Sequence, residues 1–150
     1  MTKSFTLFLN TANPKNYRQI NSTAIVEFYI DWNSFLPQEY TKFDVTTSLK
    51  SQASTATYGA VCRLSANFSG NSYDQTGTQN SFFLTLTPKS YYTSAIATKN
   101  YFESTPTEFG HCTINRPTNN YLVITINAFG GLAAGFPGYI LFMKFTPIID

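Results

Sequence analysis

Between residues 24 and 32 the chain reads Ala-Ile-Val-Glu-Phe-Tyr-Ile-Asp-Trp. At a period of two, Ala24, Val26, Phe28, Ile30 and Trp32 fall on one side, and Ile25, Glu27, Tyr29 and Asp31 on the other. One face is wholly apolar and the opposite face carries both acids, the signature of a half-buried β-strand. A helix would put Glu27 and Asp31, four residues apart, beside Ile30 and Phe28, and the β-branched and aromatic content favours a strand. The apolar face requires a second sheet to cover it.

The same alternation recurs from end to end. Phe5, Leu7 and Leu9 alternate with Thr6 and Phe8 in a first strand, closed by the turn-rich residues 10–16. The strand at 24–32 is second, and Pro37 stops the chain after Leu36. Phe43, Val45, Thr47 and Leu49 alternate with polar residues in the third. Tyr58, Ala60, Cys62, Leu64, Ala66 and Phe68 mark the fourth, the longest regular period in the chain. Residues 69–80 are a polar turn cluster. Phe82, Leu84 and Leu86 define a fifth strand that Pro88 is expected to end. Residues 89–106 show no sustained period, though a short strand or helical turn could lie among them. Residues 109–115, 121–129 and 139–146 supply the sixth, seventh and eighth strands, with Leu122, Ile124 and Ile126 inward in the seventh, and Tyr139, Leu141, Met143 and Phe145 sharing one side of the eighth. With no amphipathic helix and no internal repeat, the expectation is a single all-β domain over residues 1–150, an antiparallel sandwich of eight strands.

Composition adds to this picture. Charged residues are 12% of the chain, while ten Tyr and fourteen Phe stand among abundant Ser, Thr and Asn. A net charge of +2 gives little self-repulsion, so exposed aromatics bias such a protein towards assembly. The ten basic residues lie singly, without the Lys/Arg cluster that phosphate neutralisation needs, and direct nucleic-acid binding is not expected. Residues 1–8 show no secretory leader, so cytosolic synthesis is the expectation. Cys62 and Cys112 make no metal or redox motif and are read as free, buried thiols, one disulfide being the alternative. No charge occurs from Pro117 to Met143, but Gly130, Gly131, Gly135, Pro137 and Gly138 interrupt the apolar run too often for a spanning helix. A buried or subunit-contacting loop is expected there, a membrane-touching loop being the minor alternative. The sequons at Asn21 and Asn67 are explained by composition.

No catalytic constellation emerges. His111 is the only histidine, and neighbouring Cys112 would point to the opposite face of a strand. Glu27 and Asp31 would stand about 13 Å apart along a strand, too far for a glycosidase pair. Asp74 to Gly77 reads as a turn, and Gly130, Gly131 and Gly135 lack the Lys-Ser/Thr of a nucleotide loop. Neither metal nor cofactor is expected. The functional candidates are aromatic and apolar residues in segments expected to be irregular: Tyr91, Tyr92, Tyr101, Phe102, Leu132 and Phe136, which as exposed residues would anchor partners or sugars. The alternative is that the aromatics cap the end of the sandwich.

Strand count does not choose among sandwich topologies, but a resemblance does. The eight strands, taken as B to I, with their order of lengths and long connections, resemble the single jelly roll of icosahedral virus capsid proteins. The opening Phe5-Thr-Leu-Phe-Leu-Asn-Thr, the Asn13-Pro-Lys-Asn16 element and the run from Ile25 to Leu36 are similar to small minor or vertex capsid proteins of large icosahedral double-stranded DNA viruses. The resemblance implies a jelly roll with strands C, H, E and F in one sheet and B, I, D and G in the other. It implies a non-enzymatic virion component, made in the host cytoplasm. Its partners would be other capsid proteins, including a major capsid protein, in a homo- or hetero-oligomer. The ending Phe136-Pro-Gly-Tyr-Ile-Leu-Phe is also similar to the last strand of C1q and tumour necrosis factor trimers. A carbohydrate- or receptor-binding jelly roll is the further alternative.

Overall fold

The structure is a computed structural model that describes residues 3–11, 17–21, 25–51, 62–68, 72–73, 79–80, 82–92, 98–104, 111–128, 131–132 and 138–149. In chain order these carry β1 (Phe5–Asn10), β2 (Tyr17–Asn21), β3 (Ile25–Tyr29), α1 (Trp32–Phe35), β4 (Lys42–Ser51), β5 (Cys62–Ala66), β6 (Ser72–Tyr73) and β7 (Gln79–Asn80). There follow β8 (Phe82–Tyr92), β9 (Thr98–Ser104), β10 (His111–Asn115), β11 (Tyr121–Ala128), β12 (Gly131–Leu132) and β13 (Tyr139–Pro147). The fold is all-β, antiparallel and sandwich-like. Neighbours run β1-β13-β4-β9-β8-β5-β11-β3-β2, with β10 also on β4, β12 on β11, and β6 paired with β7 alone.

Both halves of this order contribute one side to a single core. From β1, β4 and β13 come Leu9, Phe43, Val45, Leu49, Leu141, Met143 and Phe145; from β3, β5 and β11 come Val26, Phe28, Leu64, Leu122, Ile124 and Ile126. Along β3 the expected facing is found: Val26, Phe28 and Ile30 are buried while Tyr29 is half exposed. The inward sets expected for the third, seventh and eighth strands are likewise buried. At one end Trp32 and Phe145 centre an aromatic cluster, with edge-on contacts to Phe35, Phe43 and Phe68. The Trp32 Nε1–H donates to the Asn119 carbonyl at 2.8 Å, so its one polar group is satisfied inside the core.

Each of the eight expected strands matches an observed one, and among the described residues there are five more, β2, β6, β7, β9 and β12. Several expectations are corrected. The second strand ends at Tyr29, not Trp32, because the Asp31 carbonyl accepts the Ser34 and Phe35 N–H groups and turns the chain into α1. Glu27 and Asp31 therefore do not share a strand, although Trp32 keeps its inward position. Pro88 does not end the fifth strand. It lies inside β8 opposite Phe102, beyond the point where β5 pairing stops at Leu86, so only one side of the strand loses a donor to its ladder. Residues 89–106 are expected to show no sustained period, a short strand or helical turn apart, yet residues 89–92 continue β8 and residues 98–104 form β9, which pairs with it over seven positions. Hydrophobic alternation reports a strand only when one face is apolar, whereas the ladder itself needs only extended backbone. The fourth strand begins at Cys62 among the described residues, and Tyr58 and Ala60 lie outside them.

Candidate interaction surface

The β8–β9 hairpin gathers four of the six anchor residues expected from sequence. Tyr91 and Tyr92 stand in β8 opposite Lys99 and Thr98; Tyr101 and Phe102 stand in β9 opposite Lys89 and Pro88. They are thus in regular strands, not the irregular segment expected. Leu132 lies in β12, opposite Asn127 of β11, and is not brought into that hairpin by pairing. Phe136 lies outside the described residues.

A second aromatic surface lies on regular strands, outside the segments where anchor residues were expected. Phe8 of β1 and Phe142 of β13 are directly opposed across their ladder, with ring centroids 5.1 Å apart and an edge-to-face tilt. Tyr29 of β3 and Tyr121 of β11 are opposed in the same way, with centroids 5.8 Å apart. All four are about half exposed, at 53%, 43%, 51% and 50% respectively. The signal was present in the alternation: Phe8 and Tyr29 are the outward aromatics of strands whose inward sets are apolar. Between them runs an open groove of about 220 Å³, lined by Leu7, Phe8, Leu9 and Asn10 of β1 and by Phe28, Tyr29 and Ile30. No lining residue is charged, so the groove offers apolar contact and uncharged hydrogen-bonding groups.

Several polar groups around this frame are held by structural partners. Arg116 donates through Nη1 to the Pro37 and Tyr40 carbonyls and through Nη2 to the Leu36 carbonyl and Asn33 Oδ1. The Leu36 carbonyl belongs to the C-cap of α1 and those of Pro37 and Tyr40 follow it in the chain, and a planar guanidinium can satisfy several at once. It also borders a cavity of about 70 Å³ with Asn67, Phe68 and Asn115. The Asn67 side-chain amide donates to the Tyr121 carbonyl and its Oδ1 accepts the Val123 N–H, both at 2.9 Å, continuing the ladder to β11 after β5 has ended. That engagement occupies the nitrogen a sequon would glycosylate.

Thr113 donates to Asp44 Oδ1 across the β10–β4 ladder at 2.9 Å. Cys112 is a free, buried thiol, as expected for that residue. Burial pushes the Tyr139 phenol well above its ordinary value of 10.0, since charge is costly in the core. His111 pairs with Thr46 in the β10–β4 ladder. Among the described residues no group of three or more His, Cys, Asp or Glu is placed to hold a metal ion, and no helix is long and apolar enough to cross a membrane. The chain matches no protein-family model and no curated protein sequence.

Proposed function

We propose that the chain is a structural virion protein, a single jelly-roll capsid component of the minor or vertex kind. In this reading it assembles through lateral contacts with other capsid proteins, a major capsid protein among them, and carries out no catalysis. The observation that carries the reading is the neighbour order of the strands. With the eight expected strands taken in turn as B to I, β1, β13, β4 and β10 are B, I, D and G, and they are neighbours in that order. The other half, β8, β5, β11 and β3, reads F, E, H and C. These groupings support the jelly-roll reading, with β9 standing between β4 and β8 where the two halves join. Weak net charge and half-exposed aromatic pairs on both halves support a protein made to be covered by neighbours. The scattered basic residues support a place away from direct genome contact.

The test is mass spectrometry of gradient-purified, protease-washed virus particles. The chain is expected as a particle component in fixed ratio to the major capsid protein. Its absence from intact particles, with accumulation in another fraction, overturns the reading. A carbohydrate-binding role is the second reading, favoured by the exposed Phe8 and Tyr29 rings, which are suited to stacking on sugars. A glycan array probed with the chain and with a Phe8→Ala/Tyr29→Ala variant separates the two.

A further inference from the structure

Among the described residues β1 and β2 are the two ends of the strand order, and they are built differently. The β2 edge carries Arg18, and its register against β3 shifts between Gln19 and Asn21. A charge and an irregularity of this kind are how natural sheets discourage further pairing. The β1 edge has neither. Phe5–Asn10 contains no charge and no proline, and pairs with β13 through six consecutive positions without a shift.

The direction of the Thr6 and Phe8 backbone groups follows from the ladder. The Thr11 N–H donates to the Tyr139 carbonyl, so in an antiparallel pair the odd-numbered residues of β1 bond to β13. The backbone N–H and C=O groups of Thr6 and Phe8 then point the other way, to the open side. The uncharged groove adjoins β1 along Leu7, Phe8, Leu9 and Asn10 and is shared with Phe28, Tyr29 and Ile30. The half of the sheet containing β3 extends one strand further here, through β2, whereas β1 has no described strand beyond it.

We propose that the β1 edge and this groove take up an extended, uncharged segment of another protein chain by strand addition. Groups on Thr6 and Phe8 recur at about 6.8 Å, the two-residue repeat of an extended peptide. A sugar ring could stack on Phe8 or Tyr29 but does not repeat donors and acceptors at that spacing. The neutral lining selects a neutral occupant, because a charged side chain entering the groove would lose hydration and meet no countercharge. Side chains at alternate positions of the added strand would meet Leu9, Phe28 and Ile30 on the groove floor.

The test uses the full chain and a labelled, end-capped octapeptide of alternating threonine and valine, followed by fluorescence anisotropy and by amide hydrogen exchange. Saturable binding is expected, with exchange at the Thr6 and Phe8 amides slowed at least tenfold and exchange at Leu7 and Leu9 unchanged. Thr6→Pro removes one open-edge N–H from an exposed position and leaves the β13 ladder its donors, so it is expected to fold and to bind at least tenfold more weakly. A peptide with lysine in place of valine, the residue that faces the groove floor, is expected to bind at least tenfold more weakly as well. No slowing at Thr6 and Phe8 of the unmodified chain at millimolar peptide overturns the proposal. Slowing by maltoheptaose and not by peptide also overturns it, in favour of a sugar groove. No virus particle enters the experiment, so its failure and the failure of the virion reading are separate results.

Discussion

Thr47 occupies an inward position of β4 between Val45 and Leu49, 5% exposed, and its Oγ1 has no hydrogen-bond partner among the described residues. A buried hydroxyl without a partner loses its hydration with no return. Thr47→Val keeps the shape and removes the polar atom, so urea unfolding is expected to show unchanged stability or a gain of about 1 kcal/mol. A loss of more than about 1 kcal/mol would reveal a hydrogen bond made by that hydroxyl. Tyr139 makes a pH-dependent prediction. Above its ordinary value of 10.0 the unfolded phenol gives up its proton while the folded one, raised by burial, keeps it. The unfolded state then binds fewer protons, so stability is fully present below that pH and falls above it, by about 1.4 kcal/mol per pH unit from this one group. The difference in urea midpoint between the natural chain and Tyr139→Phe is expected to change between about pH 9 and about pH 11 in favour of the variant. Equal slopes would mean that Tyr139 titrates alike in both states.

Strand facing is decided at the level of the element, since a slip by one residue exchanges the two faces. In β3, Phe28 is 3% exposed and Tyr29 51%. Phe28→Ala is expected to cost about 3 to 5 kcal/mol through lost transfer energy and a cavity. Tyr29→Ala, which leaves the Tyr121 contact but no core contact unmade, is expected to cost about 0.5 to 1.5 kcal/mol. Thermal or urea unfolding of the two variants checks both values, and a reversed ranking would invert the facing of the strand. Elements of this kind were legible in the sequence because one face is buried and the other is wet. The β8–β9 hairpin was not, since residues 98–104 do not alternate and Pro88 looks like a stop. Tyr91, Tyr92, Tyr101 and Phe102 were recognisable as aromatics, but their shared ladder depends on pairing across residues 93–97.

For the whole molecule, the thin distribution of charge matters more than any one residue. Arg116 has its guanidinium occupied by three carbonyls and the Asn33 side chain, which draws one of the ten basic residues into the frame. Affinity for duplex DNA is therefore expected to be weak and to fall steeply between about 50 and 200 mM salt, because few phosphates can be neutralised together. Filter binding across that range checks it, and submicromolar affinity persisting at physiological salt would show a basic surface that the sequence hides.

The sequence by itself determined that the protein is all-β, where eight of its strands lie and which side of several strands turns inward. Those properties are local: period-two alternation and β-branched or aromatic composition act within a few residues of Phe28, Val45 or Ile124. Tertiary structure decided which strands are neighbours, and with that the surface. Phe5–Asn10 meets Tyr139–Pro147 from the far end of the chain, and only that contact sets Phe8 against Phe142 and leaves β1 with no second neighbour among the described strands. Residues 28–30 reach the same groove from a different strand. Pairing over such separations depends on loop closure and on the fit of two apolar faces, neither of which is written in the alternation of any one segment.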